Sequence, residues 1–504
     1  MSGSAWELAQ SIEDVHCQRP GLCSPMSSPH PQFDHYRLVL IEPRGRSIML
    51  DESSEGLLPR VLIPRWTRAV RRITAQIRER WNIGAVVLDF LEGKSRDGNV
   101  VIAQSINGPW DSKAKAHGCW HDLGAVPRKE LTEFERSIIS RLLEDGSTGR
   151  GPFSRIGWIE ELLTWSANAL QLERLQLSDE IVQLNASADA ALVQISCRDG
   201  STYWFKAPGK FHPIEQQMTA ALSQQFPEYV PEMIAVHTAW NGWLMPDAGI
   251  PFLSSPTGST TLAIEVVRRL GELQSATIPV ATSLFTDGCH DHRLSTLRAQ
   301  LPDLMFYLEE AMREPDIHFG PCITPSRLRR IGDMVAETTA KLEDMGIPDA
   351  LMHCDISLEN ILIGRYGCMF IDWAQAGIGP PFVTFAHLSG QFAQHAGTRP
   401  MIQNLEEVYV GIWEALLPGC HPRRAMQLIP LVASASLLYC KKDCFEGEAM
   451  HGSRLFSYAR VLARQMDSAA HQIEEIWRGS DVEPRRNLKT SRTSAWGLLS
   501  EARP

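Results

Sequence analysis

One stretch constrains this chain more than any other: Leu351-Met-His-Cys-Asp-Ile-Ser-Leu-Glu-Asn-Ile-Leu-Ile363, followed by Phe370-Ile-Asp-Trp373. Ile361 to Ile363 form a short apolar run with strand character. Gly364-Arg-Tyr-Gly367 reads as a tight turn, because glycine tolerates positive φ. Cys368 to Ile371 then form the returning strand. A hairpin of that length predicts Asn360 and Asp372 at the same end. An amide oxygen and a carboxylate there suit a hard cation such as Mg²⁺, which takes oxygen ligands and keeps room for phosphate. Asp355 stands just upstream, placed to receive a hydroxyl proton. These are the parts of a phosphoryl-transfer site.

At these residues the chain resembles the aminoglycoside phosphotransferase family, the small-molecule branch of the protein-kinase-like fold. That family carries a His-x-Asp-x-x-x-x-Asn loop followed by Ile-Asp-Trp or a close variant. The resemblance implies that Asp355 is the catalytic base, that Asn360 and Asp372 hold magnesium, and that His353 braces the loop. Gly377-Ile-Gly-Pro380 just after fits the same pattern. Two departures stand out. Cys354 occupies a position where the family usually has glycine. Thr384-Phe385 stands where it often has Asp-Leu before Ala386, which puts an anchor of the catalytic segment in question.

Upstream, Leu184 to Ile195 reads as strand, loop and strand. In the family this loop covers the nucleotide phosphates, and Ser187 with Ala186, Ala188 and Ala190 is small enough for close backbone approach. No Gly-x-Gly-x-x-Gly is present. Thr202 to Ala207 is the next strand. It carries Lys206, a candidate for the α/β-phosphates, and the following helix carries Glu215, placed to hold that ammonium. Leu244, Met245 and Pro246 fall at the family's hinge, which gives Met245 an adenine-facing backbone. Asp247 either caps the next segment or touches ribose.

The expected fold is therefore α+β and bilobal, protein-kinase-like, with a small β-rich N-lobe and a large helical C-lobe, preceded by a small α/β domain. Residues 1–35 read as a disordered tail, 36–150 as the accessory domain, 151–250 as linker helix and N-lobe, 251–478 as C-lobe and 479–504 as a loose tail. In the accessory domain Tyr36–Ile41 and Ser47–Leu50 form a hairpin across Gly45. Pro64 opens a helix with Trp66, Val70, Ile73, Ile77 and Trp81 as its buried stripe, and Ala85–Leu91 returns as a strand. That order is vaguely similar to a Nudix domain. The helix carries mostly arginines where that family needs glutamates, so an accessory or interaction module is expected rather than a hydrolase.

A net charge of −10 argues against nucleic acid as a partner. Eleven cysteines without a Cys-x-x-Cys pair argue against a disulfide framework or zinc site, and a reduced cytoplasm is the default. Cys289-His-Asp-His292 adjoin in sequence, cannot all face one point, and read as a polar loop. No signal peptide or membrane span is expected; the longest apolar stretch, around Leu428 to Tyr439, is too short to cross a bilayer. The function expected is transfer of the γ-phosphate of ATP, with Mg²⁺, to a hydroxyl of a small molecule such as an aminoglycoside, amino alcohol or sugar. Asp443, Glu446 and Glu448 are acids that would favour an amine-bearing acceptor. The alternative is a catalytically silent nucleotide-binding or scaffold protein, against which the joint presence of Asp355, Asn360 and Asp372 counts. Ser357, where protein kinases generally carry lysine, argues against a protein substrate.

Overall fold

The structure is a computed structural model. It describes residues 33–480 apart from 45, 52–56, 66, 92–98, 107–117, 174–175, 211, 256–259, 314–321, 366, 396 and 442–452. Of the expected tails, 1–32 and 481–504 lie outside the described residues, as do Trp66 and the acids Asp443, Glu446 and Glu448, while 33–35 begin the first strand and 479–480 end the last helix. The chain divides into two compact units. The first runs to Gln216 and takes in Glu232–Asp247; the second holds Gln217–Pro231 and the chain from Ala248 onward.

The first unit opens with a mixed sheet. Its strands are β1 (Phe33–Glu42), β2 (Ser47–Asp51), β3 (Arg60–Pro64), β4 (Gly84–Leu91), β5 (Asn99–Ile106) and β6 (Gly118–His121), in the order β4-β5-β1-β2-β6, with β3 pairing β1. The expected hairpin is present, with Ile41 opposite Ile48. Helix α1 covers Ala69–Trp81 and buries Val70, Ile73, Ile77 and Trp81. Pro64 does not open it. Pro64 ends β3 opposite Phe33, and proline fits there because that strand sits at a margin where no ladder donor is required. Helices α2 (Glu133–Asp145) and α3 (Trp158–Ala169) follow. A capping box starts α2: Thr132 Oγ1 accepts from Glu135 N at 3.2 Å, and Glu135 Oε2 accepts from Thr132 N at 2.7 Å.

The second sheet of this unit is antiparallel, with β7 (Leu177–Ala186), β8 (Ala191–Cys197) and β9 (Thr202–Ala207), then α4 (Glu215–Gln225), β10 (Ala235–His237) and β11 (Gly242–Pro246). Its order is β10-β11-β9-β8-β7. The boundary expected near residue 150 runs inside this unit. One core joins Val39, Ile102 and Ile139 to Trp158, Val193 and Phe205. Polar ties cross as well. A register shift between Val87 and Asp89 loosens β4 from β5, and Gln183 on β7 takes up Val87 on both sides, with Val87 N donating to Oε1 at 2.8 Å and Nε2 donating to Val87 O at 3.0 Å.

The second unit is mainly helical: α5 (Thr260–Thr277), α6 (Ala281–Thr286), α7 (Leu294–Arg313), α8 (Pro325–Asp344), α9 (Pro381–His395), α10 (Arg399–Leu416), α11 (Pro422–Cys440) and α12 (Ser453–Ser480). Two small sheets lie among them. One has order β12-β15-β16, from β12 (Ile250–Pro251), β15 (Ile361–Gly364) and β16 (Gly367–Phe370); the other has order β13-β17-β14, from β13 (His290–Asp291), β14 (Ala350–His353) and β17 (Ala376–Gly379). The apolar stretch Leu428–Tyr439 is a core helix, with Leu431, Val432, Ala435 and Leu438 buried. Among the described residues no helix is long and apolar enough to cross a membrane. A β-rich first unit and a helix-rich second unit are the α+β, kinase-like composition expected from the sequence.

Candidate active site

Lys206 lies in β9 between two neighbours, opposite Leu192 on β8 and Trp243 on β11. Glu215 is the first residue of α4. Lys206 Nζ and Glu215 Oε1 are 2.5 Å apart, with the lysine side chain 19% exposed and the glutamate 1%. A carboxylate this deeply buried keeps its charge only against a cation, so Glu215 and Lys206 fix each other.

Ser187 opens a two-residue turn between β7 and β8. Its Oγ accepts from Ala190 N at 2.9 Å and donates to Asp189 Oδ1 at 3.1 Å, so the hydroxyl serves the turn itself. The Ala188 carbonyl accepts from Phe153 N at 3.0 Å. Met245 sits on β11 opposite Trp204. Asp247 accepts from Trp204 Nε1 at 3.1 Å, which ties the end of β11 to β9.

In the second unit the segment around Asp355 is held from several sides. β14 pairs with β17 along one edge. The N–H groups of its other edge go to two threonine hydroxyls: Leu351 N to Thr277 Oγ1 at 3.0 Å and His353 N to Thr384 Oγ1 at 3.1 Å. Gln274 Nε2 donates to Pro381 O at 3.0 Å, while its Oε1 accepts from Tyr409 at 2.6 Å. Thr384 therefore supplies an anchor by hydroxyl at the position where the sequence departs from Asp-Leu. A neutral acceptor suffices because the group it holds is a backbone N–H.

His353 is buried; its Nε2 lies 2.9 Å from Ile371 O, and its ring packs 4.6 Å from that of Trp373. That contact ties the end of β14 to the residue before Asp372. Asn360 N donates to Ser357 O at 3.1 Å, and Asn360 Nδ2 donates to Asp355 O at 3.1 Å. Committing the amide nitrogen to that carbonyl turns the amide oxygen the other way. The hairpin β15–β16 follows, with Ile361 opposite Phe370, and Ile371 N returns to Asn360 O at 3.0 Å. This closure brings the ends of the hairpin together as the spacing predicts. Asp372 has φ +70, a left-handed conformation that a non-glycine residue adopts at a cost and that clusters at functional sites. Asp355, Asn360 and Asp372 are all half-buried, accessible to a ligand yet fixed by their backbone.

Sequence reasoning missed Thr277, Thr384 and Gln274 as positioning residues. Each acts on β14 from a distant helix, and only the unpaired strand edge announces the need for them.

Residues 215–419 match the sequence model of the phosphotransferase enzyme family, APH. Several solved structures align with much of the chain. The macrolide 2′-phosphotransferase of Brachybacterium faecium is 14% identical, with 60% of this chain and 97% of that one covered, at a TM-score of 0.43. A choline kinase of Cryptosporidium parvum is 12% identical, covering 64% and 97%, at 0.45. The ADP-bound aminoglycoside phosphotransferase APH(2″)-Ib is 16% identical, covering 62% and 98%, at 0.42. No curated protein sequence matches the chain.

Proposed function

We propose that this chain transfers the γ-phosphate of ATP to a hydroxyl group of a small molecule. The observation that carries the reading is the closed loop and hairpin around Asp355, Asn360 and Asp372. The donors fit Mg²⁺: an amide oxygen and a carboxylate on half-buried residues, both oxygen ligands. Asn360 and Asp372 would hold the ion, which supplies neutralisation of charge developing between the β- and γ-phosphates. Lys206, held by Glu215, would steady the α/β-phosphates, and Met245 would offer its backbone to adenine. Ser187 shapes the turn, so the contribution of that loop is its backbone. Asp355 would orient the acceptor hydroxyl and take its proton. Positioning and electrostatics carry the reaction, with no covalent intermediate on the protein.

Asp355→Asn removes the proton acceptor with little change in shape. Phosphoryl transfer to any accepted hydroxyl should fall by about 10²–10⁴-fold, while Mg·ATP affinity measured by calorimetry stays close to the parent value. Unchanged turnover would overturn the assignment. A panel of amino sugars, amino alcohols, macrolides and neutral sugars with labelled ATP identifies the acceptor class.

A further inference from the structure

The second unit brings together soft donors that are far apart in the sequence. His292 directly follows β13, Cys354 directly follows β14, and Cys440 is the last residue of α11. One ligand atom from each of these three residues lies within 4.8 Å of the others. Cys440 Sγ is 3.9 Å from both ring nitrogens of His292. His292 and Cys354 are 4% and 2% exposed. The seat of His292 is cleared by two glycines of β17: a Cβ on Gly377 would come within 2.2 Å of His292 Cδ2, and one on Gly379 within 2.4 Å of His292 O. His292 N donates to Ile378 O at 2.9 Å, which fixes the backbone under the ring.

We propose that His292, Cys354 and Cys440 bind a thiophilic divalent cation, with zinc the best match. Two sulfurs and an imidazole are the donors that select zinc over magnesium or calcium. Zn–S of ~2.3 Å and Zn–N of ~2.0–2.1 Å at tetrahedral angles put donors about 3.5–3.8 Å apart, so the cluster closes onto a metal by a contraction of about an ångström. Each thiol gives its proton to solvent as its Zn–S bond forms. Cys440 ends a helix, where the partial negative charge of the C-terminus favours a bound cation.

With three protein donors, a water completes the tetrahedron. A metal here would fix Cys354, the residue before Asp355, and so stiffen the catalytic segment. The proposal stands apart from the phosphotransfer reading, because its readout is metal content.

The test uses the full chain, incubated with Zn²⁺ or Co²⁺ and desalted against a weak chelator. One equivalent of metal should remain by plasma mass spectrometry. The Co²⁺ form should show thiolate-to-cobalt charge transfer and the visible bands of a tetrahedral site. Cys440→Ala and His292→Gln should each lose the bound metal, and a strong chelator should lower Tm in the parent only. If a variant fails to fold, the parent's cobalt spectrum still decides. Substoichiometric metal in the parent, an octahedral cobalt spectrum, or a Cys354–Cys440 disulfide found by mass in place of metal would each overturn the proposal.

Discussion

Two buried ion pairs in this chain are built from similar parts and end differently. Arg37 and Glu135 are both 1% exposed and meet at 2.9 Å. The Arg37 guanidinium also donates to the Glu130 carbonyl, and the Glu135 carboxylate also closes the capping box of α2. Lys206 and Glu215 meet at 2.5 Å, but there the cation keeps 19% exposure. The first pair is sealed and joins β1 to α2. In the second the acid is buried and the lysine side chain keeps part of its surface. A planar guanidinium suits the closed site, and a point charge on a flexible stem suits the open one.

Three changes would break or sharpen that contrast. The largest expected effect is on stability. Arg37→Met leaves Glu135 buried without its counter-charge and should cost about 3–5 kcal/mol, read as a loss of midpoint in urea unfolding; a loss under ~1 kcal/mol would show that the pair is not sealed. Next, Lys206→Met combined with Glu215→Gln removes the open pair without stranding a charge. Transfer should drop by about 10²-fold, equivalent to ~2.7 kcal/mol, with stability held within ~1 kcal/mol. A double variant that folds and retains full transfer would remove the functional side of the comparison.

The smallest effect concerns a third acid in the first unit, Asp89, which is paired with Arg150 at 2.8 Å. Burial pushes its carboxyl up to about 6, against the opposing guanidinium of Arg150. A raised acid favours the folded state most where it is protonated. Its contribution is present below the unfolded value near 4 and is lost as pH rises through about 6. Asp89→Asn should flatten the fall in stability between pH 4 and 6 by on the order of 1 kcal/mol, since Arg150 is half exposed and water screens the pair. An identical pH slope in parent and variant would show that Asp89 titrates normally.

What could be read from the sequence followed from how close the interacting residues lie along it. Asn360 and Asp372 flank one hairpin, so counting residues is enough to predict their common end, and Asp355 stands five residues upstream of Asn360. Lys206 and Glu215 sit on consecutive elements, and the ion pair followed from their order. His292, Cys354 and Cys440 come from three segments with unrelated local patterns, and no spacing rule joins them. Reading Cys289 to His292 as a polar loop was half right: Asp291 pairs with Arg293 at the surface, while His292 turns inward. Pro64 misled because proline opens helices and ends marginal strands alike, and the choice between them depends on β1 thirty residues earlier. Periodicity showed that α1 and the strands around it have apolar faces, but nothing in periodicity says which surface covers a face.

That covering has a consequence for how such a protein is inherited. A domain that shares its interior with its neighbour cannot be shuffled as a cassette. The strands before residue 150 and those after it fill one core, and Gln183 completes the hydrogen bonding of Val87 across the join. A recombination event at the glycine-rich segment 146–152 would leave each half with an uncovered apolar face and a stranded peptide group. The two parts therefore depend on each other for burial. Within the first unit, ancestry is better traced by co-varying pairs across that join than by either half alone.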